Sequence, residues 1–140
     1  MTERLEGAMP VRFRYTPGLG NGAFLSALAE RGVFVGSRCA ACEVTYLPAR
    51  SFCERCLAAL VPDTECGPEG TVESWTVAHR DVDDEPIDPP ITWGLVRLDG
   101  ADTVLLHRLL APAEIGARVR PVVRADRVSS IHDLEGFEPA

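Results

Sequence analysis

RCAACEVTYLPARSFCERC, residues 38–56, carries two Cys-x-x-Cys pairs ten residues apart. A Cys-x-x-Cys in a tight turn aims two sulfurs at one point, and two such turns supply the four corners of a tetrahedron. Cys39, Cys42, Cys53 and Cys56 are therefore the expected ligands of one metal ion, zinc by preference. A rubredoxin-type iron centre uses the same ligand set. With all four positions taken by thiolates, no place is left for a reacting water, so the expected role is structural. Four thiolates and one Zn²⁺ leave a local charge of about −2; Arg38 and Arg55 flank the ligands and are positioned by sequence to offset it. Within the ten-residue gap, Val44, Tyr46 and Leu47 suit a short strand and Pro48 a bend.

Outward from this stretch, the cysteine count supports the same reading. The chain has five cysteines among 140 residues. An odd number with paired spacing reads as metal binding in a reducing compartment, not as a disulfide frame. The expected compartment is the cytoplasm. No apolar run is long enough to cross a membrane, and Met1 to Glu6 lack the apolar stretch of a secretory signal.

Charge is unevenly spread. The formal net charge is −7 and every basic residue is Arg except for histidines. Residues 31–56 carry four Arg against two Glu, a local +2, whereas residues 57–140 carry seven Arg against sixteen acids, a local −9. Most of such a surface repels a polyanion.

Before the cysteines, residues 1–20 read as an extended arm. Val11 to Tyr15 alternate apolar and Arg in the manner of a strand laid against something else. Residues 21–31 form the one expected helix, with Asn21 as N-cap, Phe24, Leu25 and Leu28 on one apolar face, and Gly32 at its end. A helix this short needs a docking surface on this chain or on a partner.

After the cysteines the pattern turns to strands. They are expected over Thr71–Arg80, Ile91–Leu98, Thr103–Leu110, Val119–Ala125 and Val128–Leu134, with the second and third joined as a hairpin at Asp99-Gly100. Five short strands in about seventy residues suit an OB-fold barrel. The expected architecture is thus mainly β: arm and helix over 1–35, zinc ribbon over 36–66, OB-fold over 67–140.

The remaining chemical side chains offer no catalytic constellation. Cys66 stands alone beside Gly67-Pro68 and reads as a small residue at a domain junction. His79, His107 and His132 fall on different expected strands. Asp81, Asp83, Asp84, Glu85 and Asp88 lack the glycine and terminal glutamate of a calcium loop and read as a solvated connection between the first two barrel strands. Trp75 and Trp93 suit core packing, or stacking on a nucleobase. No phosphate-binding glycine loop or nucleophile elbow is present, so nothing points to catalysis by the chain alone.

Taken together, these residues resemble a family that joins an N-terminal helix, a rubredoxin-like zinc ribbon and an OB-fold, long catalogued as domain of unknown function thirty-five. The carriers are Ala23 to Leu28, Arg38 to Cys42, Tyr46 to Arg50, Cys53 to Cys56, Gly70 to Trp75 and Ile115-Gly116. Leu98 to Asp102 with Leu106-His107 is similar to members attached to lipid-transfer-protein-like aldolases of sterol side-chain breakdown. The resemblance implies a non-catalytic accessory subunit of a thiolase-superfamily enzyme, thiolase or retro-aldolase, acting on acyl-CoA thioesters in sterol, fatty or aromatic acid catabolism. It implies an α2β2 hetero-oligomer with acyl-CoA at the interface, and carries the four cysteines over as metal ligands. By chemistry alone, Arg38, Arg50 and Arg55 suit CoA phosphates, and Phe24 and Leu28 suit a partner contact. The alternative is a nucleic-acid-binding module, since zinc ribbons and OB-folds also serve there.

Overall fold

A computed structural model of the chain describes Gly7 and residues 11–140. Helix α1 spans Gly18–Arg31. Three short strands follow, β1 (Phe34–Cys39), β2 (Val44–Tyr46) and β3 (Thr64–Cys66), in the sheet order β2-β1-β3. The remaining strands are β4 (Gly70–Arg80), β5 (Pro86–Leu98), β6 (Leu105–Leu109), β7 (Arg118–Val123) and β8 (Leu134–Pro139). They close a barrel in the order β4-β5-β6-β8-β7, with β7 returning to β4. The fold is mainly β, a ribbon ahead of a five-stranded OB-type barrel, as the sequence predicts.

Alternation builds the barrel wall. Leu105, His107 and Leu109 of β6 are buried while Leu106 and Arg108 are exposed, as the two-residue period of a strand requires. Val72, Val96, Leu98, Leu109, Val119, Leu134 and Phe137 fill the interior. Gly94 of β5 is dictated by packing: a Cβ there would stand 2.7 Å from Cγ of Leu109. The same apolar cluster continues through Leu47 and Cys66 to Phe34, Phe24 and Leu28, so helix, ribbon sheet and barrel share one core.

The helix begins at Gly18, three residues before the expected start, and Asn21 lies inside it. Pro17 precedes it with no side-chain cap; its fixed φ already suits a helical start, and the first-turn residues Gly18 and Leu19 are exposed, so water can serve their N–H groups. Gly32 ends it as expected, at φ 69°, its N–H donating to Leu28 O at 3.0 Å. Phe24 is 2% exposed and Leu28 fully buried. Both face the chain's own core, so neither presents its side chain to a partner or to CoA; the docking surface of the helix is β1 and the barrel.

Two strand expectations change. Val11 to Tyr15 join no sheet; Phe13 and Tyr15 are exposed and stack on each other with centroids 5.8 Å apart. The fifth barrel strand is Leu134–Pro139, not Val128–Leu134. Side chains override β-propensity there: the Asp133 carboxylate accepts from Val128 N at 2.9 Å and Ser130 N at 3.1 Å, and Ser130 Oγ accepts from His132 N at 3.2 Å. These bonds fold residues 128–133 into a capped turn that includes one turn of 3₁₀ helix over Ile131–Asp133. The acidic loop is exposed as expected but shorter, because β5 starts at Pro86 and takes in Asp88.

Candidate metal centre

Each cysteine pair sits where the backbone reverses. Cys39 ends β1 and Cys42 lies in the turn that leads into β2. The second knuckle is closed by Cys53 N donating to Ala58 O at 2.9 Å and Leu57 N donating to Cys53 O at 2.9 Å. The Phe52–Ala59 bridge brings its two ends together. All four sulfurs lie within 4.8 Å of one another, and Cys39 Sγ stands 3.6 Å from Cys56 Sγ. A tetrahedron with metal–sulfur bonds of about 2.3 Å has edges of about 3.8 Å, so the four thiols are positioned to bind one metal ion. Cys39 and Cys53 are buried, Cys42 is half-buried and Cys56 is exposed.

The support for the sulfurs comes from a residue that sequence reasoning assigned only to a strand. The Tyr46 hydroxyl lies 3.3 Å from Cys53 Sγ, both residues being fully buried. That contact, with the backbone N–H groups of Cys56 and Arg55, pushes the Cys53 thiol down to about 6, and the same contact together with burial pushes the Tyr46 phenol up to about 12. Cys42 is pushed up to about 12, chiefly by its hydrogen bond with Cys56. A metal ion binds such sulfurs as thiolates, so its binding releases protons. The Arg50 guanidinium lies over the Tyr46 ring, 4.7 Å from its centroid, and pairs with Glu54 at 2.6 Å.

The expected flanking arginines act differently. Arg38 reaches Thr45 Oγ1 at 3.4 Å, and Arg55 serves Cys53 through its backbone N–H. Among the described residues, neither guanidinium donates to a cysteine sulfur. Cys66 stands outside the cluster, buried in the shared core, where burial pushes its thiol up. Neither tryptophan is a core residue: Trp75 is 48% exposed and Trp93 half-buried. His107 and His132 line one groove on the barrel, which His79 does not join.

The ribbon matches the ChsH2 rubredoxin-like zinc ribbon domain over residues 26–61, and the barrel matches the ChsH2 C-terminal OB-fold domain over residues 63–124. The chain belongs to the ChsH2 zinc-ribbon and OB-fold family. Among solved structures, a DUF35-family protein from Sulfolobus solfataricus is similar at a TM-score of 0.70 and 22% identity, over 88% of this chain and 87% of that one. The Ltp2-ChsH2(DUF35) aldolase is similar at a TM-score of 0.61 and 28% identity, over 90% of this chain and 98% of that one. Among curated proteins, none matches by sequence. Among the described residues of this ChsH2-family chain, no helix is long and apolar enough to cross a membrane.

Proposed function

We propose that this chain is a non-catalytic, zinc-binding subunit that partners a thiolase-superfamily enzyme, thiolase or retro-aldolase, acting on acyl-CoA thioesters. The observation that carries the reading is the likeness, over nearly the full length of both chains, to the Ltp2-ChsH2(DUF35) aldolase. The four-thiol site agrees with it, because a site with all four corners filled stabilises structure and offers no open position to a substrate. Zinc is the proposed ion, since four thiolates in a tetrahedron are its preferred structural environment.

The proposal extends to an α2β2 assembly in the cytoplasm, to acyl-CoA at its interface, and to sterol side-chain or related acid catabolism. It keeps the division 1–35, 36–66 and 67–140. Arg38, Arg50 and Arg55 are the proposed phosphate contacts; all three are exposed, and Arg50 would exchange Glu54 for the phosphate.

Co-expression with a thiolase-superfamily protein encoded beside this chain is the test. The expected result is a complex of constant stoichiometry on size exclusion with light scattering, and acyl-CoA turnover that needs both chains. If the two elute separately and turnover is unchanged by this chain, the reading fails.

A further inference from the structure

The barrel carries a groove that neither the metal centre nor the proposed partnership uses. It encloses about 720 Å³, within the roughly 300–1,000 Å³ of small-molecule sites. It forms where the barrel wall is weakest. Strands β6 and β8 pair at a single register position, Leu109 with Phe137, and the chain over residues 131–135 crosses beside the gap.

Its walls have two characters. Trp93 of β5 and Arg108 of β6 are direct cross-strand partners, so the indole and the guanidinium leave the sheet side by side on its outer face. Leu106, Leu110 and Ile131 add apolar surface and are 59%, 43% and 36% exposed. The cations are Arg108 and Arg124, with His132 and one acid, Glu135, in the same lining. Arg124 is held by Asp126 at 3.2 Å. Arg108 has no carboxylate within ion-pair distance among the described residues.

His107 also borders the groove but turns inward with Leu105 and Leu109, edge-on to Phe137 with centroids 6.4 Å apart; its buried Nδ1 has no hydrogen-bond partner among the described residues.

We propose that this groove binds a small amphipathic anion: an apolar chain or ring system lying on Trp93, Leu106 and Leu110, ended by a carboxylate or phosphate paired with Arg108. Charge selects the class. A single unpaired guanidinium beside an apolar trough suits one terminal anion, while the −9 balance of residues 57–140 disfavours the long phosphate track of a nucleic acid. The site goes beyond the proposed partnership and needs no partner chain.

The test uses the metal-loaded full chain alone, with dodecanoate as probe, followed by calorimetry and tryptophan fluorescence. Saturable binding below the micelle threshold is expected. Arg108→Glu and Leu106→Asp, both at exposed strand positions, should each weaken it about tenfold or more, the worth of one good charge-assisted contact. Dodecanol, which lacks the charge, should bind about tenfold more weakly. CoA without an acyl chain should compete poorly; strong competition by CoA would relocate the anion site to its phosphates and overturn the amphipathic assignment. Leu57→Asp, on the exposed face of the ribbon, should bind as the parent does. Absence of saturable binding, or equal binding by Arg108→Glu and Leu57→Asp, overturns the proposal. So does dodecanol binding as well as dodecanoate, or single-stranded RNA binding in the groove in its place.

Discussion

Asp102 closes both outward hydrogen bonds of Thr45: its Oδ2 accepts from Thr45 N at 2.8 Å, and its own N–H donates to Thr45 O at 2.9 Å. Thr103 repeats the device on Leu47, its Oγ1 accepting from Leu47 N at 2.7 Å and donating to Leu47 O at 2.9 Å. The β5–β6 loop of the barrel therefore lies along the free edge of β2, one strand away from Cys39 and Cys42. Thr45 is 2% exposed, so its N–H has no water to turn to. Asp102→Ala should cost about 1–3 kcal/mol, the penalty of a buried donor left unpartnered, with Thr103→Val additive only in part. Urea unfolding measures the loss, and amide exchange should rise first at Thr45 and Leu47.

The Tyr46 hydroxyl is the groove-free counterpart of that latch on the metal side. Tyr46→Phe keeps the ring under Arg50 and removes only the contact to Cys53. Affinity for zinc should fall about 10–100-fold, as for other residues that support a metal ligand, with the circular dichroism spectrum unchanged. Competition with a colorimetric chelator reads the affinity. Equal affinity in the two proteins would remove Tyr46 from the metal centre.

Metal removal should loosen the ribbon before the barrel. Cys39, Val44, Tyr46 and Cys53 form a small cluster of their own, too few to hold a fold without the ion. One equivalent of zinc per chain is expected. Cobalt substituted for it should give the charge-transfer bands of tetrahedral thiolate coordination. Chelation should raise amide exchange over residues 34–60 more than over β4 and β5. Less than about a tenth of an equivalent of any transition metal, with exchange already slow, would contradict a metal-organised ribbon.

Acid should destabilise the turn over residues 128–133. Burial alone would raise the Asp133 carboxyl, but backbone N–H groups of Val128, Ser130 and Ser129 outweigh it and hold the group below the usual carboxylate range. A depressed folded-state value contributes stability that is complete above the unfolded value near pH 4 and is lost as pH falls through the folded one. Urea midpoints against pH for the parent and Asp133→Asn should therefore differ at neutral pH and converge in acid. The difference between the two curves also separates this group from acid release of the metal.

Gly94→Ala should strain the barrel. The added Cβ meets three carbons of the Leu109 side chain at 2.7–2.9 Å, and overpacking of this kind costs about 1–3 kcal/mol. Thermal unfolding reads it. Truncating the obstacle in Gly94→Ala/Leu109→Val should recover part of the loss.

The metal ligands were legible in the sequence because a Cys-x-x-Cys is a local device: two residues of separation set the turn and the two sulfurs together. The first four barrel strands were legible for a similar reason, since alternation over five to ten residues reports one buried face. The fifth was misplaced because Val128 and Ile131 look like strand residues, while Ser130 and Asp133 bond to the backbone around them and win. What the helix buries was open to two readings, as an apolar face does not say whose core it enters.

Only the tertiary structure decided which distant residues complete each site. Asp102 and Thr45 are 57 positions apart, and Trp93, Arg108 and Ile131 meet at a barrel seam that closes through pairing between strands far apart in the chain. Spacing along a chain encodes turns and faces. Closure of a sheet on itself, and the gap where it closes least well, depends on registers between strands, and no single stretch of sequence carries those.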